Sequence, residues 1–135
     1  MVAYSFKKQF GPPILAGTKA QTIRADRKRQ ARPGEELQLY TGMRTRQCRL
    51  IARVPCIAVS PCRIDVQAHL VFANDNWART ARDLDAFAIR DGFRSWDEMV
   101  AFWRAQHSAV TDFRGVLIQW VPLAPADALD IGAAA

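Results

Sequence analysis

Cysteine, histidine and long apolar runs are all scarce in this sequence, and each shortage closes off a class of function. Its three cysteines, Cys48, Cys56 and Cys62, are odd in number and lie eight and six residues apart, which suits neither a disulfide framework nor a CxxC metal knuckle. The two histidines, His69 and His107, stand 38 residues apart without HExxH spacing, so no metal site is expected. No window reaches the roughly 18 uninterrupted apolar residues of a membrane helix, and MVAYSFKKQF has no apolar stretch after its lysines. A soluble, unsecreted, cytoplasmic chain in a reducing compartment with no membrane partner is the expectation. GxGxxG, GxxxxGK[ST] and GxSxG are missing as well, so no nucleotide cofactor is expected.

Acidic residues are outnumbered, 13 against 19 lysines and arginines, and the imbalance is uneven. Residues 1–60 hold twelve Lys/Arg against Asp26, Glu35 and Glu36, a surplus of nine positive charges; the remainder holds seven against ten. Such asymmetry is an electrostatic footprint for a polyanion, of which nucleic acid is the commonest in the cytosol, although a basic surface also serves solubility. With 135 residues, half of them hydrophobic, the chain fits one domain over residues 1–124, followed by a low-complexity tail, 125–135, expected to fray.

Pro12-Pro13 before ILA and then Gly17 predict a short helix whose exit turn carries Lys19. In QTIR the pattern turns extended, with Thr22 and Arg24 on one face of a strand and Gln21 and Ile23 on the other. Residues 25–34 form a polar loop closed by Pro33-Gly34. ELQLY (36–40), CRLIARV (48–54) and CIAV (56–59) read as strands with Pro55 as punctuation, HLVF (69–72) as a short strand and NDNW (74–77) as a turn. Two helices follow, Asp83 to Arg90 stopping at Gly92 and a second opening on the capping box Ser95-Trp96-Asp97-Glu98. Phe87, Phe93, Met99, Phe102 and Trp103 form an apolar stripe read as core, and GVLIQWVPL (115–123) a last buried strand. The helix pair does not read as a DNA-binding helix-turn-helix, because its second helix presents Trp, Asp, Glu, Met and Phe rather than arginines and amides.

Three blocks, ILAGTKAQTIR (14–24), PGEELQLYTG (33–42) and RDGFRSWDEMVAFW (90–103), together resemble the ASCH superfamily, relatives of the PUA-like RNA-binding fold. The resemblance spans residues 4–121. It implies an α+β fold, a small, mostly antiparallel β-barrel with two or three short helices. It also implies a ligand that is RNA or a modified nucleoside. Compact bacterial members of the superfamily include amidohydrolases that deacetylate N(4)-acetylcytidine with a lysine and a threonine of the G-x-K-x-x-T block and a later glutamate. By motif position these are Lys19, Thr22 and, in place of the glutamate, the shorter Asp91.

The residue types suit amide hydrolysis. A threonine hydroxyl needs a base to take its proton, and a lysine becomes one when desolvation or a nearby cation such as Arg24 lowers its pKa. Asp91, near a helix C-terminus whose dipole disfavours a carboxylate, is placed to be the acid that protonates the departing amine. The competing readings are a solvated turn for Lys19 and Thr22 and a surface pair with Arg90 or Arg94 for Asp91. Tyr40 is a candidate stacking residue at the rim or else a core edge, and Arg27, Lys28 and Arg29 form a basic loop that attracts phosphate without reading sequence. The expected cleft gathers Lys19, Thr22, Arg24, Tyr40 and Asp91 facing that loop. Two alternatives stay open beside the hydrolase, a non-catalytic RNA-binding module and a ribonuclease acting on single-stranded RNA; oligomeric state is not legible.

Overall fold

Strand β1 (Val2–Phe6) alternates buried and half-buried residues, turning Val2, Tyr4 and Phe6 inward, as a half-buried strand requires. A computed structural model describes residues 2–123; the expected tail at 125–135 lies outside the described residues. After β1 a single 3₁₀ turn, Lys8–Phe10, runs into α1 (Gly11–Ala16), which has proline in its first turn and ends on Gly17 in the left-handed conformation at φ 81°. Strands β2 (Gln21–Arg24) and β3 (Glu36–Thr41) follow on either side of the polar loop.

The next strand, β4, runs unbroken for 17 residues, Arg49–Asp65, where two shorter strands separated at Pro55 were expected. Pro55 and Pro61 fail to break it because of where they sit. Pro55 faces Glu36 at the end of the β3 ladder, and Pro61 has a ladder neighbour only in β7, so each has a side without a partner strand, where a missing N–H breaks no ladder hydrogen bond. A register shift between Cys56 and Ala58 marks the point where β4 passes from one partner to the other. Beyond it come β5 (Leu70–Ala73) and β6 (Asn76–Ala78). Asn74 and Asp75, at φ 53° and 60°, form the two-residue turn between them, so Asn76 and Trp77 belong to a strand rather than to the turn.

Helix α2 (Ala81–Arg90) starts two residues earlier than the sequence pattern suggests, capped by the Thr80 hydroxyl, which accepts from the Asp83 amide at 3.1 Å. The expected box opens α3 (Trp96–Gln106), Ser95 accepting from the Glu98 amide at 3.1 Å. Strand β7 (Asp112–Trp120) closes the described chain and pairs with both β4 and β2. Leu37, Leu39, Ile118, Met99 and Trp120 are buried together, and Phe6 meets the Trp120 ring edge-on at 6.1 Å.

The seven strands form one mixed sheet, antiparallel except where β1 runs parallel to β3. The fold is α+β as expected, but the sheet does not close into a barrel. Among the described residues β1 pairs only with β3 and β2 only with β7, so a seam stays open between β1 and β2. The Arg24 guanidinium reaches across it and donates to the Ser5 carbonyl at 2.7 Å, satisfying with a side chain an acceptor that a neighbouring strand would otherwise engage.

Candidate active site

The open seam is where the functional candidates meet. Past Gly17 the chain is tied down by Lys19 N donating to Pro13 O at 3.1 Å and Ala20 N donating to Arg90 O at 3.2 Å, which fixes the exit turn against the end of α2. From that turn the Lys19 side chain points inward and is 3% exposed. Its ammonium donates to the Gln21 carbonyl at 2.9 Å and the Asp91 carbonyl at 2.6 Å, and stands 3.9 Å from Asp91 Oδ1. The rings of Phe10 and Phe6 lie 4.9 and 5.4 Å from it. Asp91 caps α2, buried, its amide bonded to Phe87 O and Ala88 O. Gly92 follows at φ 100°, where a Cβ would stand 2.7 Å from Lys19 Cδ, so glycine serves both the backbone conformation and the passage of the lysine stem.

Burial lowers Lys19 from 10.5 to about 8, opposed by the Asp91 charge and helped by Arg24. Burial likewise raises Asp91, opposed by Lys19, by the Gln21 hydrogen bond and by Arg24. Desolvation therefore wins at both ends of the pair and brings the two proton affinities toward each other. The direction at Asp91 matches the one expected from the helix terminus, but its first cause is burial. The solvated-turn reading of Lys19 and Thr22 and the surface-pair reading of Asp91 both fall. All three are buried, and Arg94 is engaged with Glu98 at 2.7 Å.

Thr22 and Arg24 share one face of β2, as the alternation implied, and Arg24 Nε donates to Thr22 Oγ1 at 3.0 Å. An oxygen that accepts from a guanidinium is one whose negative charge is stabilised. Lys19, Thr22, Arg24 and Asp91 line a cavity of about 310 Å³. Its walls are aromatic: Phe6, Phe10, Phe93, Phe102, Trp103 and Phe113, with His107 beside Trp103 at 4.9 Å between ring centroids. A space of this size, apolar around a few convergent polar groups, suits a flat heteroaromatic ring.

Other expectations need correction. Tyr40 is not part of the cavity. Its hydroxyl donates to Gln38 Oε1 at 3.3 Å, on the face of β3 opposite Leu37 and Leu39. Nor do Arg27, Lys28 and Arg29 line it: Arg27 lies over the Tyr4 ring at 4.8 Å, Lys28 is exposed, and Arg29 pairs with Glu35 at 2.6 Å. The helical stripe divides, Phe87 and Met99 going to the core while Phe93, Phe102 and Trp103 also wall the cavity.

Sequence reasoning missed Gln21. It is 1% exposed and donates Nε2 to Asp91 Oδ1 at 3.3 Å, and its Oε1 has no hydrogen-bond partner. A glutamine on the apolar side of a strand pattern was the available signal. No family model, curated protein or solved structure matches this chain. The site therefore rests on its own chemistry. No cluster of three metal-ligating side chains occurs among the described residues, and no helix among them is long and apolar enough to cross a membrane. Burial pushes the Cys62 thiol up to about 12 and raises Cys56, so neither is an activated nucleophile.

Proposed function

We propose that the chain is an ASCH-type amidohydrolase that removes the acyl group from an N(4)-acylated cytidine, with Thr22 as nucleophile, Lys19 as base and Asp91 as acid. The observation that carries this reading is the buried Lys19–Asp91 pair at the floor of an aromatic cavity, beside a hydroxyl that accepts from Arg24. A purely structural ion pair gains little from such burial, since two desolvated charges cost nearly what their attraction returns.

The reaction uses the neutral tautomer, Lys19 amine with Asp91 carboxyl. Thr22 Oγ adds to the acyl carbonyl as its proton passes to Lys19. The C–N bond then breaks, and the cytosine amine leaves with the proton of Asp91. Water attacks the threonyl ester and gives a proton to the Asp91 carboxylate, while the threonine oxygen recovers one from Lys19. Acetic acid departs and the starting tautomer is restored.

The test is to incubate the purified chain with N(4)-acetylcytidine and, separately, with labelled single-stranded RNA, and to resolve both by mass spectrometry. Cytidine and acetate from the first and intact RNA from the second are expected. Cleaved RNA would move the reading to a ribonuclease, and bound, unchanged ligands to a binding module.

A further inference from the structure

The cavity does not end at its aromatic walls. Along Ser5, Phe6 and Lys7 it shares its lining with a second, more open trough of about 570 Å³, whose far side is formed by Lys8, Gln9 and the turn at Gly42 and Met43. Lys7 and Lys8 are exposed there. The two chain segments that build this trough contain no acid: residues 1–25 and 37–64 carry nine lysines and arginines and not one Asp or Glu. A concave surface lined by cations from an acid-free stretch of chain focuses positive potential on whatever enters the cavity beside it. Of the basic loop expected to draw phosphate, Arg29 is held by Glu35 and Arg27 is laid over Tyr4, while the exposed Lys28 lines neither space.

We infer that the trough is a phosphate subsite, and that the ligand is a nucleoside carrying a phosphate rather than the bare nucleoside. This rests on the proposed function only in placing a base in the cavity. The base enters the aromatic cavity, the sugar passes Ser5 and Phe6, and the phosphate meets Lys7 and Lys8. That phosphate is either the terminal group of a mononucleotide or a link of an RNA strand from which the base is turned out.

The experiment is binding to the full chain, read by stopped-flow tryptophan fluorescence before turnover, of N(4)-acetylcytidine, its 5′- and 3′-monophosphates and a trinucleotide with acetylcytidine at its centre. Phosphate should tighten binding by roughly 5- to 10-fold, the scale of two exposed charge pairs, and the gain should shrink with salt. In the double variant Lys7→Ala/Lys8→Ala the ratio of phosphorylated to unphosphorylated affinity should fall toward one. Arg82→Ala, a loss of charge on α2 that touches neither space, should leave it alone. A trinucleotide tighter than both monophosphates assigns the phosphate to a strand; equal affinities assign it to a mononucleotide. Equal binding of nucleoside and nucleotides, an unchanged ratio in the double variant, or no binding by any of the four overturns the inference. Hydrolysis measured in the same samples separates the two claims. Phosphate-dependent binding without acetate release keeps the trough and sinks the hydrolase, and hydrolysis indifferent to phosphate does the reverse.

Discussion

Lys19 and Asp91 hold one shared proton in a place where neither charge is well solvated, and that has consequences for both rate and stability. The tautomer that the proposed reaction uses has the same total charge as the ion pair, so its population is constant between the two apparent pKa values and falls outside them. The alkaline limb is loss of the pair's last proton, which leaves no acid for the departing amine; the Lys19 value of about 8 marks it, so under the proposed reaction kcat/KM for acetylcytidine should fall as pH rises through about 8, and a pH–rate profile reads this directly. Folding stability has the opposite slope over part of that range. Between about pH 8 and 10.5 the unfolded chain keeps a proton on Lys19 that the folded chain has shed, so the lysine's contribution makes the fold more stable as pH rises there. Lys19→Met should abolish that rise in urea titrations. Lys19→Met/Asp91→Asn should be more stable than either single variant, and equal to or about 1–4 kcal/mol above the parent, because breaking a buried pair costs more than replacing it. A double variant several kcal/mol below the parent would mean that the pair is held for the fold.

At the scale of elements, the end of α2 positions Asp91, the acid of the proposed reaction. Gly92→Ala forces a side chain into a left-handed position, costing about 1–2 kcal/mol, and drives its Cβ against Lys19 Cδ. Thermal melting should show that loss, and hydrolysis should drop by a larger factor than stability alone explains, since misplacement by about 1 Å costs about 100-fold. The local signals around this helix end were legible in sequence: Gly92 past the helix, the Ser95–Glu98 box, and Gly17 after α1 each act within a few residues. The alternation of Thr22 and Arg24 was legible for the same reason. Pro55 and Pro61 misled because a proline's cost depends on which side of the strand has a partner, and that is decided by β3 and β7, far away in the chain. Tyr40 misled because the end of a strand does not reveal which face meets the cavity. Phe10 and Phe113 were invisible as site residues because they come together only through the tertiary fold.

For the molecule as a whole, the sheet's failure to close makes the site. A closed barrel would pair β1 with β2 and fill the seam with backbone hydrogen bonds; here Arg24 spans it, and the cavity opens there with one cation from the turn after α1, one from β2 and a carboxyl group from a helix end. Whether that arrangement exists for chemistry is decided most directly by steady-state hydrolysis of N(4)-acetylcytidine, followed as cytidine release, by the parent, Lys19→Ala, Asp91→Asn and the double variant. The parent should release cytidine, each single variant should lower kcat by about 100-fold or more, and the double variant should be little worse than either, because the two residues act in one mechanism. An Asp91→Asn variant as fast as the parent, or a parent that releases no cytidine, would contradict it.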